Sequence, residues 1–292
     1  MLHESVSPHT LGFARVAVYG TWFWHVLKDP LDQVVDVPSE YFSPIGLLRL
    51  VPAPLWQFLY TAEFLLALKL AMLVCLALLV LGVGPFRCIA IFTCLFLTFY
   101  QGLVRGFGFI NHGELSILYA AYVLAAFPSA DALSLRRGKV DYAQPSMYKA
   151  PMIAVALLLC LAYMFVGAQR LLKGGLEIFV NGTIIHMVAL RSFGPGPAGS
   201  GSGHLVLEYP WLALMLQAGF PIVTVFELLS PLCLFYRPFR RAWISVMFSF
   251  HLATGLFMQI WFTANFLLIF VFLTDIDRLC TAWLAQNTRR YG

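Results

Sequence analysis

Ionisable side chains set inside or beside apolar runs are the residues of this chain that could do chemistry. Glu63, Lys69, Arg105, Arg170, Glu227 and His251 each interrupt a hydrophobic stretch, and Asn111, His112 and Lys173 lie at the ends of others. Removing a charge from water is costly, so such a group either marks a functional site or is neutralised by a partner on another helix. A histidine titrates near neutrality and can move protons, and a desolvated lysine becomes a neutral amine base. An arginine stays charged and holds oxyanions, carboxylates or phosphates with its planar fork of donors. His112, in a tight turn, is weighed first as a hydrogen-bonding group, and Lys173 as an interfacial lysine whose ammonium reaches water. Asn111, Arg170, Glu63, Arg105, Glu227 and His251 are the candidates for holding a substrate. Glu63 and Lys69 point about 120° apart on one helix, so each would need its partner elsewhere. No H-E-x-x-H pattern places two metal ligands on one helix face, and no metal is expected. Cys75, Cys88, Cys94, Cys160 and Cys233 fall inside apolar runs and Cys280 just beyond the last, without a C-x-x-C pair. They read as small buried hydrophobes.

The elements that must position these groups follow from composition. The chain has 292 residues, 60% hydrophobic and 11% charged, with mean hydropathy +0.80. Ordinary soluble domains run about 45–50% apolar and about 25% charged. The composition excludes a soluble globular protein, a disordered chain and a nucleic-acid binder working through a basic surface. It describes an all-α, polytopic transmembrane helical bundle, with the lipid bilayer as its first partner.

A bilayer core needs about 20 mostly apolar residues per helix. On that ruler about eight spans are expected, at 11–27, 56–83, 86–107, 113–128, 150–173, 210–235, 242–259 and 261–274. The last two divide one long apolar run near Gln259 and Trp261-Phe262. With eight spans, Arg87, Arg136, Arg137, Lys139, Lys149, Arg237, Arg240, Arg241, Arg278, Arg289 and Arg290 share one side with both termini. The other side holds Lys28, Arg49, Lys173 and Arg191. The positive-inside rule then places both termini in the cytoplasm, and the expected location is a bacterial cytoplasmic (inner) membrane. The first ten residues carry no Lys or Arg, so 11–27 reads as a retained span and not a secretory leader. Depth along the spans puts Lys69, Glu227 and His251 near the midplane, with Glu63 two turns in from an outer end. Arg15 lies close enough to the cytoplasmic end to snorkel.

No internal repeat and no second soluble domain is visible, so 1–292 reads as one membrane domain. Its connection 174–208 faces outward. The spacing of Leu176, Ile178, Phe179, Ile184, Ile185 and Val188 suits an interfacial amphipathic helix, with a loop as the alternative. Residues 194–203 follow as a Gly/Pro/Ser linker.

Four stretches carry a resemblance to a known family. They are Leu11-Gly-Phe-Ala-Arg15; Asn111-His-Gly-Glu-Leu115 with Pro128-Ser-Ala-Asp-Ala-Leu-Ser-Leu135; Ala162-Tyr-Met-Phe-Val-Gly-Ala-Gln-Arg-Leu171; and Glu227-Leu-Leu-Ser-Pro231 followed by Arg240-Arg241 and Phe250-His251. Taken in order, they resemble the HTTM family, the membrane module related to vitamin K-dependent γ-glutamyl carboxylase. That resemblance implies a lysine base acting on a membrane quinol at the extracytoplasmic face, supported by a histidine in the outward turn, which His112 matches. At the lysine position this chain has Arg170, whose guanidinium cannot be deprotonated. Lys173, three residues on, shares its helix face, so the resemblance implies His112 and Lys173 as the candidate catalytic residues, in the role of proton-transfer groups. Authentic γ-carboxylation is therefore not expected.

Two readings of function follow. One is a carboxylase-like, quinol-linked enzyme with a membrane quinone as cofactor and an exported peptide or lipid as substrate. The other is a non-catalytic membrane factor for maturation, immunity or lipid binding. A transporter ranks behind both, because inverted repeats with matched broken helices are not visible.

Overall fold

Helix boundaries in the computed structural model follow local capping chemistry, and the structure describes residues 6–107, 112–135, 145–193 and 202–280. Every regular element among them is helical. Ser7 caps α1 (Pro8–Lys28) by accepting from the Thr10 amide, with Pro8 in the first turn where its missing N–H costs nothing. Asp277 holds this end from afar, accepting from the Ser7 amide at 2.8 Å and the Thr10 hydroxyl at 2.6 Å. Short 3₁₀ turns at Leu31–Asp36, Ser39–Tyr41 and Gly46–Leu50 lead to α2 (Ala53–Leu59).

The apolar run 56–83 is not one helix. It breaks at Tyr60-Thr61, and the Thr61 hydroxyl accepts from the Phe64 amide at 3.3 Å to start α3 (Ala62–Leu81). Glu63 therefore sits in the first turn of α3 and is exposed, not two turns deep. A carboxylate there complements the positive end of the helix dipole. α3 ends at Gly82, whose φ of +67° is the left-handed cap that glycine adopts without a Cβ clash.

After Pro85 come α4 (Phe86–Arg105), α5 (Leu115–Ala126) and α6 (Pro145–Gly174). Then follow α7 (Thr183–Phe193), α8 (Gly203–Glu208), α9 (Pro210–Leu228), α10 (Arg237–Met258) and α11 (Thr263–Leu273). The apolar run 242–274 divides at Gln259, a left-handed C-cap with φ +55°. Among the described residues, four helices are long and apolar enough to cross a membrane: α3, α4, α6 from Ser146, and α9. α5 and α11 are apolar but shorter, with 12 and 11 residues. On α3, Leu66, Leu70 and Val74 stay exposed while Leu65, Leu68, Met72, Leu76 and Leu79 are buried. A helix apolar all round with one exposed side suits a hydrocarbon surrounding.

The chain forms two compact units. Among the described residues, the first comprises those up to 155 with 275–280, and the second those of 156–274. In the first, α1 packs against α3 and α5, and α4 against α3 and α5. Its core runs through Leu11, Ala14, Val18, Tyr19 and Trp22 of α1. Gly12 permits a close approach, since a Cβ there would lie 2.6 Å from the Ala132 carbonyl oxygen. Arg15 does not snorkel. It is fully buried, and its guanidinium donates to the Val80 and Leu133 carbonyls near the ends of two segments. The Val80 carbonyl is one of the free acceptors at the C-terminus of α3, and Arg15 supplies it with a donor while reaching the non-helical Leu133 as well.

In the second unit α7 packs on α8, α9 and α10. Within 174–208 a 3₁₀ turn forms at Glu177–Phe179 and α7 at Thr183–Phe193, whose Ile184 and Val188 are buried against Val206, Leu212, Phe220 and Met258. Residues 194–201 of the Gly/Pro/Ser linker lie outside the described residues. Of the cysteines, Cys94, Cys160 and Cys233 are buried, Cys75 and Cys280 half-buried, and Cys88 is exposed; all six are free.

Candidate functional site

The second unit brings Arg170 and Glu227 together. α6 carries Arg170 one turn before its end, and α9 carries Glu227 in its last turn. Arg170 donates from Nη1 to Glu227 Oε2 at 2.6 Å and from Nη2 to Oε1 at 3.2 Å, a bidentate ion pair. Nη1 also donates to the Thr224 hydroxyl at 2.8 Å, and the guanidinium carbon lies 4.7 Å from the centre of the Phe220 ring. Thr224 and Phe220 are spaced three and seven residues before Glu227, which puts all three on one face of α9. Gly167 makes the approach possible, because a Cβ there would lie 3.0 Å from the Glu227 Cβ. Glu227 is 1% exposed. A carboxylate this deep needs a bidentate cation to offset its lost hydration.

His251, also in this unit, is buried on α10 among Phe250, Phe262 and Phe266. Its Nε2 pairs with the Tyr163 hydroxyl of α6 at 2.5 Å. Asn265 lies within side-chain hydrogen-bonding reach of Tyr163, and neither its Oδ1 nor His251 Nδ1 has a hydrogen-bond partner among the described residues. Tyr163 also meets Trp243 edge-on at 5.1 Å, and the Ser230 hydroxyl lies within 2.6 Å of the Cys160 carbonyl. Lys173 is exposed in the last turn of α6.

The first unit holds a separate polar cluster where α1 ends. Lys69, two turns into α3, donates to the backbone carbonyl of Asp29 at 2.7 Å. The Asp29 carboxylate accepts from the Tyr100 hydroxyl of α4. Beside them, Gln101 donates to Glu114, and His25 Nδ1 lies 3.8 Å from Glu114 Oε1. Arg105 is buried at the end of α4 within electrostatic reach of Glu114. Glu63 has no ion-pair partner among the described residues. His112 opens a 3₁₀ turn through Glu114, whereas its side chain and all of Asn111 lie outside the described residues.

Of the residues singled out from the sequence, the structure thus pairs Arg170 with Glu227 and gives His251 a different partner. Tyr163, Thr224 and Phe220 were missed as site residues, as were Asp29, Tyr100, Gln101, Glu114 and His25. The helical spacing of Phe220, Thr224 and Glu227 was a usable signal. Asp29 carried none, because it looked like one acid among several in a connection.

Among the described residues no group of three or more His, Cys, Asp or Glu is placed to hold a metal ion. In comparison with known proteins, the chain matches no family model, no curated protein and no solved structure.

Proposed function

We propose that this chain is an HTTM-like integral membrane protein acting as a non-catalytic membrane factor, with eight spans and both termini in the cytoplasm of a bacterial cell. Support for the family reading comes from which segments touch. Within the first unit, the Leu11–Arg15 stretch meets the 128–135 stretch through Gly12 against Ala132 and Arg15 on Leu133. Within the second, the 162–171 stretch meets the 227–231 stretch through Gly167 and Arg170 against Glu227. Motifs that face each other in space have a packing reason to occur together.

The observation that carries the non-catalytic reading is the closed state of Arg170. Its fork is engaged by Glu227 and Thr224, so it has little left with which to hold an oxyanion or a substrate carboxylate. Lys173 is exposed in the last turn of α6 and stands apart from the Arg170–Glu227 pair. An enzyme of the carboxylase-like class needs a proton-transfer group beside its quinol.

The test is oxygen uptake by proteoliposomes of the purified protein supplied with a reduced naphthoquinone. No uptake above protein-free vesicles is expected. A quinol-dependent rate that Lys173→Gln abolishes would overturn the reading in favour of the enzyme.

A further inference from the structure

The second unit contains an apolar groove that the ion pair does not use. It encloses about 400 Å³ between α7, α9 and α10, with Val188, Met215, Gly219, Phe220, Ser249 and Phe257 among its walls. That volume lies within the range of about 300–1,000 Å³ typical of small-ligand sites. From it we propose a binding site for an uncharged lipid with one long chain and a single hydroxyl or carbonyl head.

The class of ligand follows from what the walls offer. No charged side chain lines the groove among the described residues. Phe220, one of the walls, sets its ring against the Arg170 guanidinium, which is itself paired with Glu227. An ionised head would thus enter without a counter-charge, at the full cost of burying it in an apolar setting.

Of the hydroxyls in the walls, Ser245 bonds to the Arg241 carbonyl and Thr254 to the His251 carbonyl, each within its own helix. Ser249 makes no such bond among the described residues and is left as the polar anchor. The space itself is made by α9. A Cβ on Gly219 would meet nothing within 4 Å, so the wall is recessed there. Two residues on, Pro221 offers no N–H to the Gln217 carbonyl and loosens the same stretch of helix. The site takes its membrane setting from the reading above, on which it rests.

The test uses the full-length protein in phosphatidylcholine nanodiscs with two photoactivatable probes, a long-chain fatty alcohol and the matching fatty acid. Crosslinked peptides are mapped by mass spectrometry. The alcohol is expected to label α9 and α10 peptides about tenfold more than the acid, the signature of a site that rejects charge. Gly219→Leu fills the groove from a position with room for it and should abolish the labelling, whereas Gly219→Ala keeps it. Ser249→Ala should weaken the alcohol label about threefold to tenfold, the worth of one hydrogen bond.

Equal labelling by alcohol and acid overturns the proposal, as does labelling that survives Gly219→Leu in protein of unchanged thermal midpoint. If Gly219→Leu does not fold, the alcohol-to-acid ratio on the wild type decides alone. Quinol turnover would sink the non-catalytic reading without touching this ratio, and an even ratio would sink the groove without touching the turnover result.

Discussion

Arg170 and Glu227 are separated by 56 intervening positions and joined by two hydrogen bonds, so neither residue predicts its partner by local spacing. The sequence presents Arg170 as a misplaced cation in an apolar helix and Glu227 as a carboxylate between Pro221 and Pro231. What each can do chemically changes once they meet, because a paired guanidinium is a structural brace first. The energetic consequence can be measured. Removing one partner leaves a buried charge uncompensated, so Arg170→Met or Glu227→Leu alone should cost about 3–5 kcal/mol. The double variant replaces the pair by apolar side chains of similar size and should return to within about 1 kcal/mol of the wild type. Equilibrium unfolding in mixed micelles gives all four corners of the cycle. If the losses instead add, the pair is not coupled and Arg170 regains its candidacy as a substrate-holding group.

Elements were legible where local chemistry writes them and illegible where another segment decides. The division of 242–274 could be read from Gln259 and the aromatic pair that follows, and the structure ends α10 there. A glutamine in the left-handed region is strained relative to glycine by roughly 1–2 kcal/mol. Its side chain returns only a long 3.4 Å contact to the Leu256 carbonyl. Gln259→Gly should therefore stabilise the chain, by about 0.5–1 kcal/mol once the extra freedom of glycine in the unfolded chain is subtracted. A thermal midpoint that falls instead would show that Gln259 has a contact worth more than its strain. The run 56–83 misled for the opposite reason: hydropathy counts apolar residues and ignores a threonine cap, so Glu63 was placed deep when Thr61 puts it in a first turn. Arg15 misled because snorkelling is judged from depth alone, whereas the carbonyls of Val80 and Leu133 take its donors inside the fold. The polar cluster of Lys69, Asp29 and Tyr100 was unreadable because its central acceptor is a backbone carbonyl, which any residue type supplies.

At the scale of the whole molecule, helix length and hydropathy identify four strong candidates for crossing a membrane among the described residues. The remaining four expected spans rest on a charge argument. α1 and α10 have 21 and 22 residues, long enough to cross, and α10 begins with Arg237, Arg240 and Arg241. If α10 and α11 both cross, the terminal cations Arg278, Arg289 and Arg290 lie on the same side as Arg87 and Lys149. If they act as one span, those cations are carried to the opposite side, against the positive-inside rule. The two topologies separate in one experiment. Alkaline phosphatase, active only outside the cytoplasm, is fused after Lys139, within the 194–201 stretch, and after Gly292. The eight-span arrangement requires activity only for the middle fusion. Activity at Gly292 would mean that α10 and α11 together cross once, with the side of 174–208 still fixed by the middle fusion.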